Sequence, residues 1–314
     1  RDHTFLHRSC TQLFFFNSKK NIFLRSKKKV EQKIFFQITT KKSQKTKKIK
    51  SLIREMDSVL VAFSGGVDST LVLALAHDVL GEKALAVTAQ SASMPDREMK
   101  ACHQLAKEIG VKHLVVKTEE MSNPNYRANP ANRCYHCKTE LYSRLKKVAQ
   151  QENIFHILNG TNTDDLGDYR PGLDSAREQG VRSPLVEAEF NKQEVRELSR
   201  KMELSVWDKP AMACLSSRIP YGQPVTPGKL AMIEQAEDLL LSLGFTQVRV
   251  RHLGTLARIE LDKNEIPRYQ NDKSVQKAVE EKLKALGFNN VVLDPEGYRM
   301  GNLNSALLEY KDRV

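Results

Sequence analysis

Two groups of residues in this sequence have types and spacings that could do chemistry: a glycine-rich loop and a set of cysteines. The loop follows the apolar stretch 59–63 and consists of Ser64, Gly65, Gly66, Val67, Asp68 and Ser69. Glycine tolerates positive φ, and the N–H groups that open a following helix attract anions, so these residues predict a phosphate-binding loop. The lysine and the spacing of a Walker A loop are absent. Residues 64–69 are called the phosphate loop below.

A second loop carries oxygen atoms that could hold a metal ion. Asp164 and Asp165 follow the apolar stretch 155–159 and lie in the motif Asn-Gly-Thr-Asn-Thr-Asp-Asp. A pair of aspartates in a loop is often only a turn and helix cap. Beside a phosphate loop, the pair instead favours Mg²⁺ that bridges phosphate oxygens.

The cysteines form a pair and a distant third member. Cys134 and Cys137 make a C-x-x-C motif, and Cys214 lies 77 residues after it. The pattern alone allows a zinc site that includes His136, a redox pair, or three ligands of an iron–sulfur cluster. Five cysteines in 314 residues do not indicate a disulfide framework, so we expect a reducing, cytoplasmic location.

The elements that must position these groups alternate between strand and helix, and one helix is expected from near His136 to Gln151. Short apolar strands separated by helices predict an α/β fold, with a doubly wound parallel sheet and ligands at the carboxyl ends of its strands. The loop 208–227 contains four prolines and indicates a boundary. We therefore predict a nucleotide-binding domain over residues 46–208 and a smaller α+β domain over residues 209–314.

The formal net charge of +12 comes entirely from one end of the chain. Residues 1–50 hold 15 Lys or Arg and two acidic residues, whereas the other 264 residues hold 35 basic and 36 acidic ones. A near-neutral remainder argues against a nucleic-acid partner, and the lack of a long apolar run argues against a membrane partner. Residues 1–45 are expected to be disordered or absent from the mature protein. A basic arm, a transit peptide and sequence upstream of the true start all stay open.

Charged residues alternate with apolar ones along two strands of the second domain. Arg249 and Arg251 alternate with valines, and Arg258 and Glu260 alternate with Ala257 and Ile259. Side chains two apart lie on the same face of a strand, so each strand is expected to have one charged face. That face is either solvated or binds an anion.

A glutamate falls on the apolar side of the helix predicted over residues 227–243. Glu237 lies in the arc defined by Ile233, Ala236 and Leu240, where a carboxylate is costly without a partner. One interpretation is that arginines of this domain bind a phosphate while carboxylates orient them.

Three motifs together resemble a known family. Ser-Gly-Gly-x-Asp-Ser after the first strand resembles the PP-loop ATP pyrophosphatases, which cleave ATP between its α and β phosphates and adenylate a substrate oxygen. The segments Asn-Arg-Cys-Tyr-His-Cys-Lys (132–138) and Ala-Cys-Leu-Ser-Ser-Arg-Ile-Pro-Tyr-Gly (213–222) then resemble the LarE family. Members are ATP-dependent sulfurtransferases of nickel-pincer nucleotide synthesis, and the resemblance extends over residues 46–308.

The resemblance implies a substrate and a sulfur chemistry. The substrate would be a pyridinium-3,5-biscarboxylic acid mononucleotide, whose carboxylates are adenylated and converted to thiocarboxylates. One variant of the family sacrifices a single cysteine and leaves dehydroalanine; the other binds a [4Fe-4S] cluster through three cysteines. The pattern here favours the cluster, with Cys134, Cys137 and Cys214 as ligands and catalytic residues, although zinc and sacrificial loss of sulfur from Cys214 stay open.

The resemblance also implies binding residues and partners. ATP and Mg²⁺ would be cofactors, held by the phosphate loop, Thr161, Arg133 and the aspartate pair. The residues implied for substrate binding are Ser217, Arg218, Arg249, Glu237 and Glu260. Expected partners are the small-molecule nucleotide, further copies of the chain, and the carboxylase and nickel-inserting proteins of the same pathway.

Three alternative functions compete with this interpretation. A PP-loop tRNA thiolase would need a basic RNA surface, which the near-neutral chain beyond residue 50 does not offer. An amidating ligase, such as the synthetase part of GMP synthase, would give the three cysteines no role. The intact phosphate loop and the pair Asp164 and Asp165 argue against a nucleotide-binding regulatory protein that has lost catalysis.

Overall fold

The computed structural model describes residues 42–167, 170–210 and 213–299. Contacts within the chain group residues 1–49 and 50–314 into two units. Of the first unit, residues 42–49 are described, and they are helical. Residues 1–41, which make up most of the predicted leader, lie outside the described residues. All that follows concerns the second unit.

The first sheet contains four parallel strands in the order β3-β2-β1-β4. These strands are β1 (Val59–Ala62), β2 (Ala84–Gln90), β3 (Lys112–Lys117) and β4 (His156–Leu158). The three successive residues Val59, Leu60 and Val61 are all fully buried, so helices and loops cover both faces of the central strand. The predicted α/β class with a parallel sheet is confirmed.

Seven helices of the described residues connect and follow these strands: α1 (Val67–Leu80), α2 (Asp96–Ile109), α3 (Pro124–Arg127), α4 (Arg133–Gln151), α5 (Gly172–Glu178), α6 (Pro184–Glu187) and α7 (Lys192–Lys201). Helix α4 packs Tyr142, Leu145 and Val148 against one face of the sheet. Helix α7 starts with a capping box, in which Asn191 and Glu194 each bind the other's backbone N–H.

The second sheet contains three strands in the order β5-β6-β7. They are β5 (Val248–Leu253), β6 (Leu256–Leu261) and β7 (Asn290–Leu293); β5 and β6 are antiparallel, and β6 and β7 are parallel. Helices α8 (Pro227–Ser242), α9 (Ile266–Asn271) and α10 (Lys273–Ala285) accompany this sheet. Val248, Val250 and Ile259 point into a core shared with α8. The predicted smaller α+β part is present, and its boundary at residue 208 stays a prediction.

The local structure differs from the sequence-based expectation in two ways. Helix α4 begins at Arg133 rather than at His136, so the C-x-x-C motif lies in its first turn. The short helices α3, α5, α6 and α9 were not predicted, because segments of four to seven residues carry too little periodicity to be recognised. No helix of the described ranges combines the length and the hydropathy required to span a bilayer.

Candidate active site

The phosphate loop follows β1 and extends into the first turn of α1, at the carboxyl edge of the parallel sheet. Gly65 has a φ of 68°, and a Cβ added there would lie 2.8 Å from the Sγ of Cys102. The hydroxyls of Ser64 and Ser69 are 3.0 Å apart, and the Ser64 N–H donates to Ser69 Oγ at 3.2 Å. The loop is therefore closed by its own serines, and the first N–H groups of α1 face the same turn.

The loop after β4 packs directly on the phosphate loop. A Cβ added to Gly160 would lie 2.6 Å from the backbone N of Ser69, so only glycine allows this approach. Asn162 Nδ2 donates to Asp68 Oδ1 at 3.0 Å, and the Thr161 N–H donates to Asn159 Oδ1 at 3.0 Å. The structure thus brings the predicted nucleotide residues of the phosphate loop together with Thr161.

The aspartate pair lies beside this contact but is already hydrogen-bonded. Asp165 accepts from the Asn162 N–H at 3.0 Å and forms an ion pair with Arg170 at 2.7 Å. Asp164 accepts from the backbone N–H of Lys192 at 3.1 Å. Within the described ranges, no three His, Cys, Asp or Glu side chains form a group that could hold a metal ion. The Mg²⁺ role of the pair stays a prediction.

Two lysines that the sequence analysis missed contact the phosphate loop. Lys192 Nζ lies 2.5 Å from Asp68 Oδ2. Lys209 Nζ donates to the Gly65 carbonyl at 3.2 Å and to Glu98 at 2.8 Å. Both come from more than 120 residues further along the chain, and no local motif marks them.

The three cysteines lie in one region, where the first turn of α4 approaches a short turn after residue 213. Cys134 and Cys137 are three residues apart and lie on one side of α4, while Cys214 is the residue that precedes the 3₁₀ turn Leu215–Arg218. They are close enough for the charge of Cys214 to act on both other thiols. Cys102, by contrast, is fully buried behind the phosphate loop.

The pKa values of Cys134 and Cys137 are raised above that of a free thiol. Burial, followed by the charge of Cys214, raises the pKa of Cys137 to about 12. Desolvation and then Cys214 also raise the pKa of Cys134, against the opposing charge of Arg133. Because a metal binds the thiolate, metal loading of these residues would release protons.

A buried polar clamp holds the two cysteine-bearing segments together. Asn129, at a φ of 57°, donates its side-chain N–H groups towards the carbonyls of Ile219, Pro220 and Gln223 at 2.7–3.2 Å. Arg133 donates to Asn129 Oδ1 and, at 2.9 Å, to the Ser216 carbonyl. The predicted nucleotide ligand Arg133 is therefore placed in the clamp, beside Cys134; a contact with the nucleotide stays a prediction.

The partner that a buried Glu237 requires is Arg218. Both side chains are fully buried, with Arg218 Nε and Nη2 at 2.8 and 3.0 Å from the two carboxylate oxygens. Arg97 of α2 donates to the same carboxylate at 2.9 Å, and the Val250 N–H donates at 3.1 Å. Burial opposes ionisation, but Arg218 and these donors hold the pKa of Glu237 below its usual range.

Arg218, Arg249 and Arg251 form a buried guanidinium cluster. Arg249 lies opposite Glu260 in the antiparallel register, and Arg251 donates to Glu260 at 2.7 Å and to the Ser217 carbonyl at 2.8 Å. Burial and then the charge of Arg218 lower the pKa of Arg249. The charged strand face is therefore buried, which excludes the solvated alternative. The structure brings together all five residues predicted to bind substrate.

The guanidinium cluster and the cysteines share one turn. Arg218 Nη1 donates to the Cys214 carbonyl and to Ser217 Oγ, both at 3.0 Å. The same turn is tied to the nucleotide side of the molecule, because the Leu215 N–H donates to the Ser93 carbonyl, just after β2, at 2.8 Å. The phosphate loop, the cysteines and the cluster thus belong to one connected region.

Comparisons with known proteins match this arrangement. A family model described as the PP-loop domain matches residues 38–169. The chain is 47% identical over 263 residues to an uncharacterized protein of Synechocystis sp., covering 84% of this chain and 98% of that protein. It is 26% identical over 255 residues to an uncharacterized protein of Methanocaldococcus jannaschii, covering 80% of this chain and 96% of that protein.

A third relative has a name that states its activity. The chain is 40% identical over 258 residues to the pyridinium-3,5-bisthiocarboxylic acid mononucleotide synthase of Lactiplantibacillus plantarum, covering 81% of this chain and 92% of the synthase. The chain therefore belongs to the LarE family of the PP-loop superfamily.

Proposed function

We propose that this protein is an ATP-dependent sulfurtransferase that converts the two carboxylates of a pyridinium-3,5-biscarboxylic acid mononucleotide into thiocarboxylates. The observation that carries the proposal is the turn shared by Cys214 and Arg218, since it joins a sulfur-bearing residue to a buried anion site. A substrate phosphate bound at the guanidinium cluster would leave the pyridinium ring beside the cysteines.

The first half of the reaction is assigned to the phosphate loop. A substrate carboxylate oxygen attacks the α-phosphorus of ATP, the bond to the bridging oxygen of the β-phosphate breaks, and pyrophosphate leaves. The loop's amides and the N-terminus of α1 would bind the departing anion. Charge build-up during this step would be relieved further by Mg²⁺ if Asp164 and Asp165 hold it.

The guanidinium cluster is suited to the substrate's nucleotide phosphate. Three guanidinium groups, those of Arg218, Arg249 and Arg251, lie buried beside the carboxylates of Glu237 and Glu260. Planar guanidinium groups match phosphate oxygens in pairs, so the cluster could accept a phosphate group. Glu237 and Glu260 would fix the orientation of Arg218 and Arg251.

In the second half, a sulfide equivalent attacks the adenylated carbonyl carbon, a C–S bond forms, and AMP leaves with the electrons of the C–O bond. The three thiols are a soft donor set of the kind that iron–sulfur clusters require, although they are not preassembled for a metal. Cys134, Cys137 and Cys214 would hold a [4Fe-4S] cluster, which when bound would supply the sulfide. Loss of sulfur from Cys214 itself is the alternative route.

The proposal is tested with anaerobically reconstituted protein, ATP, Mg²⁺, sulfide and the pyridinium dicarboxylate nucleotide. We expect AMP and pyrophosphate release together with a product mass that reports replacement of oxygen by sulfur. Arg249→Ala should raise the KM for the nucleotide while ATP binding is unchanged. Absence of the mass change, with thiolation of tRNA instead, would reject the proposal.

The sulfur route is tested by metal analysis. We expect equal amounts of iron and labile sulfide in the wild-type protein, loss of both in Cys137→Ala, and retention of both in Cys102→Ala. Zinc without labile sulfide would contradict the cluster. Loss of a sulfur atom from the protein after a single turnover would identify Cys214 as the donor.

A further inference from the structure

The phosphate loop contains no cation of its own. Its six residues include Asp68 and no lysine or arginine, although the triphosphate of ATP carries several negative charges. Backbone N–H groups and a helix terminus provide only partial positive charge. Any full positive charge that the chain itself places near the loop must therefore come from residues outside it.

One such charge is the ammonium group of Lys192. Its Nζ lies 2.5 Å from Asp68 Oδ2, and its backbone N–H is bound to Asp164. The residue is thus attached to the loop after β4 through its backbone and to the phosphate loop through its side chain. About a third of the side chain is exposed, so the ammonium group can exchange partners.

The second charge is the ammonium group of Lys209. Its Nζ contacts the Gly65 carbonyl at 3.2 Å and forms an ion pair with Glu98 at 2.8 Å. Gly65 and Asp68 are three residues apart, so the two lysines contact the phosphate loop at separate points. An ammonium group has three N–H donors, so either lysine can keep one protein contact while it donates to a ligand.

From these contacts we propose that Lys192 and Lys209 bind the pyrophosphate portion of ATP, and that Asp68 and Glu98 hold the two lysines in place when the nucleotide is absent. Together the two residues supply the charge that a lysine within a Walker A loop would supply. The proposal rests on the proposed function only in requiring ATP to bind at the phosphate loop; it is independent of the sulfur donor and of the pyridinium substrate.

The test measures dissociation constants of the full chain by isothermal titration calorimetry. The ligands are inorganic pyrophosphate and, separately, AMP, both in the presence of Mg²⁺. Removal of one charge-assisted hydrogen bond should weaken pyrophosphate binding about tenfold or more in Lys192→Met and in Lys209→Met. AMP binding should change less than about twofold, because AMP lacks the β and γ phosphates. Lys83→Met is the matched control, since Lys83 makes a similar 2.6 Å ion pair with Asp57 at the opposite edge of the sheet.

A variant that is expected to increase the affinity for pyrophosphate keeps the proposal falsifiable if a lysine variant folds poorly. Glu98→Gln removes the carboxylate that competes for Lys209, so pyrophosphate binding should become tighter by a few fold. Unchanged pyrophosphate affinity in both lysine variants would overturn the proposal, as would equal losses for AMP and pyrophosphate or weaker binding in Glu98→Gln. Failure to form the thiocarboxylate while these shifts occur would reject the proposed function alone.

Discussion

The phosphate loop and the guanidinium cluster, the two proposed anion sites, are built from different chemical groups. The phosphate loop consists of backbone amides, a helix terminus and two serines within six consecutive residues. The guanidinium cluster consists of side chains on a 3₁₀ turn and a strand, balanced by carboxylates on a helix and a second strand. One site depends on the path of the chain, whereas the other depends on buried charges that compensate each other.

The two sites should therefore respond differently to substitutions. A backbone site tolerates changes of side-chain chemistry but does not tolerate added volume, because its donors are fixed by close packing. A side-chain site tolerates modest changes of shape, but removal of one charge leaves its partner buried in a poorly polarisable interior. The following predictions probe this distinction.

The largest effect is expected from Glu237→Ala. The change leaves Arg218 fully buried without its carboxylate, which should lower the free energy of unfolding by about 3–5 kcal/mol. Urea unfolding followed by circular dichroism measures it. Glu280→Ala is the control, because Glu280 forms an ion pair of similar length with Lys284 at the surface of α10 and should have little effect. Equal losses in both variants would remove the distinction between buried and exposed pairs.

Gly160→Ala should disable the backbone site while the second sheet stays folded. The new Cβ would lie 2.6 Å from the Ser69 nitrogen and would displace the start of α1, so ATP-dependent pyrophosphate release should fall about a hundredfold or more. Gly228→Ala is the control, since no atom lies within 4 Å of its added Cβ. Near-normal release by Gly160→Ala would contradict close packing as the basis of the site.

The smallest expected effect is a dependence of folding stability on pH, caused by a histidine near the phosphate loop. Burial and the charge of His103 lower the pKa of His113, whose Nε2 lies 2.8 Å from Thr88 Oγ1, to about 4. The unfolded chain therefore binds more protons between about pH 4 and 6.5, and stability should decrease as the pH falls through this range. Thermal unfolding of His113→Gln should depend less on pH than that of the wild type. Identical profiles would exclude His113 as the cause.

Much of the parallel sheet and of the phosphate loop could be predicted from sequence because both depend on neighbouring residues. An apolar strand, two glycines and a helix occur in one uninterrupted segment, so spacing alone identifies them. The buried position of Glu237 also followed from helical periodicity. An arginine partner from the same domain was also expected, but not which arginine it is. The added contact from Arg97 of α2 was not predicted, because 140 residues separate Arg97 from Glu237.

Other features depend on tertiary contacts that no local pattern records. Lys192 and Lys209 look like ordinary surface lysines in the sequence, and only the folded chain places them against Asp68 and Gly65. The start of α4 was placed three residues too late, because Asn132 makes no side-chain cap and the first turn is stabilised by the clamp through Arg133.

The Asn129 clamp limits how this enzyme can be recombined with its relatives. One side chain, in a left-handed backbone conformation, satisfies carbonyls of a segment about 90 residues away. A chimera that exchanges residues 213–225 without residues 126–133 would combine two segments whose hydrogen bonds through Asn129 are no longer matched. Exchange of both segments together should preserve the spacing of the three cysteines, so the two stretches form one modular unit for engineering.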